Sequence, residues 1–399
     1  MRRVRIDKIN SFGGLVLNLV CIVLYFLLAE FVFRFTVLKN INSDLDYYLS
    51  QTFSEEEKKN AKQFKDDLDS LGERAVIVPE TTVYKYKPAK RKSAVINSLG
   101  FRGEEVSAKQ RDEYRIAIFG DSKVLGYLLP EEDTMPFLVQ EKLREHFRDK
   151  NKKISVFNCG IEAFDLQRSI DAAKLYHADL GVDLVVFYSA AIDPNLAYMW
   201  GVFDVKPFAK GDMVPEIFRM HIGGDGFNSK LLHVLQSSFL NDIYKFKMKS
   251  SNGSDIMTYP IPPLQIKYLE DYPSDYAARV KEVSDYFKQW NTPSVIIMSP
   301  MPQLKEPLSE IERALLFQRE LNMPGINHFT KKCYSDMVKA VKQLPDVKSL
   351  DISEMFNGMK ETVFFDGLHM TPSANRMSAE KIAGYFIKII ESEHYLDKK

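Results

Sequence analysis

The chain has 399 residues, 45% of them hydrophobic and 27% charged, which places it among folded globular proteins with ample material for a core. Lys and Arg together number 54, as do Asp and Glu, so the formal net charge is zero and nothing supports broad electrostatic binding to nucleic acid. The three cysteines, Cys21, Cys159 and Cys333, lie far apart without zinc-ligand spacing, and they neither demand nor exclude an oxidising compartment.

In chain order, the first eight residues carry Arg2, Arg3, Arg5 and Lys8, and residues 12–29 then form a run that is apolar apart from Asn18. Apolar character continues to Leu38. About 20 such residues cross a bilayer, so residues 1–38 read as a basic cytoplasmic tip and an uncleaved transmembrane anchor. The leading positive charges put the N-terminus in the cytoplasm and everything beyond about Lys39 outside it. A cleaved signal peptide is the rival reading. No small-x-small site follows the run, and Val20 before Cys21 argues against lipoprotein processing.

Residues 39–92 read as a stalk. Ser54 to Glu57 has the form of a capping box, and Ala61, Phe64, Leu68 and Leu71 follow as a narrow apolar stripe that Gly72 ends. This predicts a short helix, then a polar, extended segment from Val76 to Lys92. Residues 93–399 form the main domain. Apolar runs at Arg115–Phe119, Ile154–Asn158, Leu184–Tyr188, Ser294–Met298 and Val347–Leu350 predict strands. Helical patterns lie at Pro136–Phe147, Leu166–Ala178 and Pro372 to about Ile390. The alternation predicts an α/β fold around a parallel sheet of about five strands. Residues 203–272, rich in Gly, Phe, Met and Lys, break the rhythm and read as an insertion over one end of the sheet.

The chemistry centres on Tyr114 to Gly126, which reads YRIAIFGDSKVLG. A strand running into Gly120-Asp121-Ser122 and then a helix holds the Ser122 hydroxyl at the carboxyl edge of the sheet, where open α/β folds bind ligands. Ser122 is thus a helix N-cap or a nucleophile. Asp366-Gly367-Leu368-His369, directly before the last helix, can bring a carboxylate to an imidazole, fix its tautomer and stabilise the imidazolium. Tyr188, Tyr198 and Trp200 cluster beyond the third strand and suggest a platform for sugar rings.

Together these segments resemble the SGNH/GDSL hydrolase superfamily. Gly120, Asp121 and Ser122 match its first block, and Gly126 a glycine that follows it. Asp366 and His369 match the last block, and Gly160 in Phe157-Asn158-Cys159-Gly160 the second. Asn97 to Glu104 (NSLGFRGE) is similar to a segment of membrane-anchored members associated with cell-surface polysaccharide modification. The resemblance implies a flavodoxin-like three-layer sandwich with Ser122 as nucleophile, His369 as base and Asp366 as its orienter. The N–H groups of Ser122 and Gly160 would form the oxyanion hole. No metal or organic cofactor is implied. The implied substrate is an O-acyl, above all O-acetyl, ester on an extracytoplasmic polysaccharide or glycan, for hydrolysis or for transfer with a multi-span acyl-donor partner. Three departures stand out. Ile192 replaces the oxyanion Asn of the third block, with Asp193 retained there, Asn195 close by as a substitute donor, and a non-catalytic scaffold as the other reading. Ala163 stands where a second glycine is usual, and Lys123 follows the nucleophile where a small or apolar residue is commoner.

Overall fold

The computed structural model describes residues 49–69, 75–78, 83–150, 153–189, 192–202, 266–322 and 325–392. The predicted anchor at 1–38 and most of the predicted insertion, 203–265, lie outside the described residues. No helix among the described residues is long and apolar enough to cross a membrane.

The centre is a five-stranded sheet built from β5 (Glu113–Gly120), β6 (Lys153–Gly160), β7 (Leu184–Ser189), β8 (Ser294–Met298) and β9 (Lys348–Asp351), each within a few residues of its predicted run. Strand order is β6-β5-β7-β8-β9, with every pairing parallel. Every residue of β5 and β8 is buried, as expected of strands covered on both faces. Alternation sorts their side chains. Ile116, Ile118, Val186 and Ile297 pack under α3 (Met135–His146) and α9 (Pro372–Ser392) through Val139, Leu143, Ile382 and Phe386. Ala117, Phe119, Phe187 and Ile296 face the opposite layer of α4 (Leu166–Leu180), α6 (Ile266–Gln289) and α8 (Ile326–Lys342). The sequence reading assigned neither α6, α7 (Glu310–Asn322) nor α8. Helix α6 also shortens the predicted insertion: residues 266–272 are helical, and Tyr272 is buried against Asp193.

The stalk prediction needs correction. Helix α1 (Glu55–Asp69) begins with the expected capping box: Ser54 N–H donates to Glu57 at 2.7 Å, and Glu57 N–H to Ser54 Oγ at 3.2 Å. It does not stand free. Ala61 and Phe64 are fully buried in the same core cluster as Phe119 and Phe187, because a stripe that apolar is stable only against a partner surface. The extended segment after it forms two short antiparallel pairs, β1 (Ala75–Ile77) with β2 (Tyr84–Tyr86), and β3 (Ala89–Lys90) with β4 (Val95–Ile96).

Candidate active site

Strand order reverses at β5, since the chain leaves it first for β6 on one side and then for β7 on the other. At that switch point the three strand ends are level: Gly120 pairs with Gly160 and with Tyr188. The short helix α2 (Ser122–Leu125) starts at once, capped by Asp121, whose Oδ1 accepts the Lys123 N–H at 2.8 Å. Gly126 ends it at φ +77°, and a Cβ there would lie 2.4 Å from Thr134. Glycine alone fits this turn, and the turn is what fixes Ser122 at the sheet edge.

Ser122 Oγ lies 2.7 Å from His369 Nε2, and His369 Nδ1 lies 2.7 Å from Asp366 Oδ2. The hydrogen-bond pattern assigns the proton to Nδ1, which leaves the Nε2 lone pair facing the serine hydroxyl. Asp366 is itself held, its Oδ1 accepting from the N–H groups of Leu368 at 2.7 Å and His369 at 2.6 Å. Burial alone would raise this carboxyl, but the His369 charge and these hydrogen bonds outweigh it and hold the carboxyl below its ordinary value. The N-cap and nucleophile readings of Ser122 therefore separate: Asp121 is the cap, and Ser122 is free to meet the base. A recess of about 10 Å³ beside it is lined by Ser122, Lys123, Tyr127, Leu129, His369 and Met370. No cluster of three or more His, Cys, Asp or Glu side chains among the described residues is placed to hold a metal.

The other predicted site residues fare differently. The Gly160 N–H, expected to hold an oxyanion, donates instead to Asn158 Oδ1 at 3.1 Å. What Gly160 supplies is close approach, because a Cβ there would lie 2.1 Å from Leu125 N in α2. The Ser122 N–H lies in the first turn of α2, where no intrahelical acceptor exists. Ile192 is half-buried against the core. Asn195 has its amide oxygen bound by Arg319 Nη2 and by Thr330 Oγ1 at 3.2 Å, which ties that oxygen to α7 and α8. Asp193 is a core residue and not a substrate ligand. It is 1% exposed and spent on the Leu166 N–H at 3.3 Å and the Tyr272 hydroxyl at 3.0 Å, and burial beside Asp165 raises its carboxyl. Tyr188 and Tyr198 are likewise buried, Tyr198 edge-on to Phe329 at 5.4 Å, so neither offers a face to a sugar. The side chain of Trp200 lies outside the described residues. Ala163, at the usual second glycine, has φ +59°, which is why glycine is the easier residue there.

Three cations frame the site. Lys123, 4% exposed, donates from Nζ to the Pro300 carbonyl at 2.6 Å; burial pushes its pKa down to about 8 against the opposing pull of Asp121 and Asp366. Arg319 on α7 donates to the Gly367 carbonyl at 3.1 Å, inside the loop that carries Asp366 and His369. Burial lowers its pKa to about 10, opposed by Asp366 and Glu320. Arg102 lies 2% exposed beneath the nucleophile turn and donates to the carbonyls of Leu125 at 2.9 Å, Gly126 at 3.0 Å and Leu129 at 2.9 Å. The sequence reading singled out the segment around Arg102 without a role for it, and nothing local marked Arg319.

No family model matches the chain, and no curated protein matches its sequence. Among solved structures the chain is similar to a lipase/acylhydrolase from Enterococcus faecalis, at 11% identity over 70% of this chain and 96% of that one with a TM-score of 0.37. It is similar to the psychrotrophic esterase EstA from Pseudoalteromonas sp., at 11% over 69% and 98% with a TM-score of 0.37. A catalytic mutant of an acetylxylan esterase from Geobacillus stearothermophilus is similar at 11% over 67% and 92%, with a TM-score of 0.35. Similarity at this level carries no argument about chemistry, which rests on the side chains themselves.

Proposed function

We propose that this chain is an SGNH-type serine hydrolase that removes O-acyl, above all O-acetyl, groups from a carbohydrate outside the cytoplasmic membrane, held there by its N-terminal apolar segment. The observation that carries the enzymatic part is the relay from Ser122 through His369 to Asp366, with 2.7 Å at each step. On this reading Ser122 Oγ attacks the ester carbonyl carbon as His369 Nε2 takes its proton, and Asp366 stabilises the imidazolium. Collapse breaks the bond to the sugar oxygen, which His369 protonates. Water then cleaves the acyl-enzyme by the same route. The oxyanion falls to the Ser122 N–H, and the Gly160 N–H joins it only when Asn158 lets go.

A second reading, transfer of the acyl group to a sugar hydroxyl with a multi-span donor protein as partner, is favoured by Ile192. Ile192 removes a polar group that would orient the attacking water, and slower hydrolysis would spare an acyl-enzyme for transfer. Labelling the full chain with a fluorophosphonate ester decides whether the site reacts at all: modification at Ser122 is expected. A folded protein that stays unlabelled would return the chain to the scaffold reading.

A further inference from the structure

We propose that α1 and the turn leading into it belong to the catalytic apparatus, with Phe53 and Phe64 setting the imidazole of His369 through two intermediary rings, Phe365 and Tyr127. The proposal rests on the serine-hydrolase reading above and deepens it.

Two chains of contact converge on the base. Phe53 meets Phe365 edge-on at 5.1 Å, and Phe365 lies nearly parallel to the His369 imidazole at 5.8 Å and 17°. Phe365 immediately precedes Asp366, so the same contact steadies the orienting carboxylate. Phe64 meets Tyr127 edge-on at 6.5 Å, and Tyr127 lies against His369 at 4.9 Å and 33°. The Phe64 ring also lies under the Arg102 guanidinium at 4.6 Å, and that guanidinium holds the carbonyls of Leu125, Gly126 and Leu129 around the nucleophile turn. One N-terminal segment thus reaches both the loop of the base and the turn of the nucleophile.

The physical need is rotational. His369 must keep Nδ1 on Asp366 and Nε2 on Ser122 together, and a modest swing of the ring breaks one bond or the other. The imidazole is partly exposed, with a side chain 15% accessible, so its orientation depends on the rings that flank it. Edge-to-face packing is directional, so Phe53 and Phe64 transmit position and not merely apolar bulk. Movement of the chain before α1 would therefore be felt at the base.

The test compares Phe53→Leu, Phe64→Leu and the milder Phe53→Met and Phe64→Met with the parent in the full chain. Phe53→Tyr and Phe64→Tyr serve as rescues, and Trp290→Leu, an exposed ring just before β8, as a control. Thermal melting selects the folded variants. The readouts are the rate of Ser122 phosphonylation, kcat and KM on p-nitrophenyl acetate, and the His369 ring signal in histidine-labelled NMR spectra, assigned with His369→Gln. Displacing the base by a fraction of an ångström is expected to slow phosphonylation about tenfold or more and to lower kcat with little change in KM. The His369 signal should move, the Tyr variants should recover most of the rate, and Trp290→Leu should behave as the parent. Folded Leu or Met variants that label at the parent rate with an unmoved His369 signal overturn the proposal. If the parent itself is never labelled, the hydrolase reading fails separately. The His369 signal then decides: movement in the Leu or Met variants supports positioning by α1, and no movement rejects it.

Discussion

At the scale of single residues, the proposed reaction divides the labour unequally among Ser122, His369 and Asp366. Replacing Ser122 or His369 with Ala is expected to reduce ester turnover to background, whereas Asp366→Ala should retain more, since that carboxylate orients and does not react. Ser122→Ala should remain folded, because Asp121 and not Ser122 caps α2. The oxyanion question turns on Ile192. Loss of one donor costs about 10² to 10³ in rate in related chemistry, so Ile192→Asn should raise hydrolysis of a simple ester, with Asn195→Ala alongside it as the check on a substitute donor. Because Arg319 and Thr330 bind the Asn195 oxygen, its removal should also disturb stability. Lys123 leaves a pH signature. Its folded pKa is about 8 against an ordinary 10.5, so below pH 8 it is protonated in both states and the buried charge weighs against folding. Between pH 8 and 10.5 the unfolded chain keeps a proton that the folded one has released, and stability rises with pH. The rise amounts to about 3 kcal/mol at most. Urea unfolding of the parent between pH 7 and 9.5 should show it relative to Lys123→Met, which should lack it.

At the scale of elements, the nucleophile turn is a strand end and one turn of helix held from below. A four-residue helix has no stability of its own, and its terminal carbonyls would lie buried without partners. Arg102 supplies those partners by reaching Leu125, Gly126 and Leu129 at once, and Asn158 adds a longer contact to Leu125 at 3.4 Å. The ion pair to Glu131 adds little, because that carboxylate is 44% exposed. Arg102→Met should therefore destabilise the protein by about 3–5 kcal/mol in urea unfolding, from buried carbonyls left unpaired. Arg102→Lys should recover only part of that, since one ammonium cannot span three carbonyls in a fixed fork.

For the molecule as a whole, the expected topology follows from the basic residues that precede the apolar run. A periplasmic-type reporter fused after Tyr48 should be active and a cytoplasmic one silent; the reverse result removes both the proposed location and the polysaccharide as substrate. The domain that follows places its reactive edge where the carboxyl ends of β5, β6 and β7 meet. Helix α1 lies packed against that domain, so the segment expected to be a spacer is part of its core.

What could be read from residues in order was governed by local pattern. The five strands followed from short runs of β-branched and apolar residues between turns, and the capping box of α1 from four consecutive positions. The contact of Ser122 with His369 and Asp366 was foreshadowed because each half lies in a local motif, Gly-Asp-Ser at a strand end and Asp-x-x-His before a helix. The three helices between residues 266 and 342 escaped, although α7 opens on a capping box of its own, with Ser309 N–H donating to Glu312 at 2.8 Å and Glu312 N–H to Ser309 Oγ at 3.2 Å. Partnership was decided only by the tertiary structure. Asp193, Tyr188 and Tyr198 looked available for substrate, yet burial gave each of them to the core. The Gly160 N–H went to Asn158, and Arg102 and Arg319 acquired their roles from carbonyls and side chains distant in sequence. Hydrophobic periodicity records which face of an element is buried; it does not record what that face meets, because burial is non-directional and a hydrogen bond needs a particular atom at a particular distance.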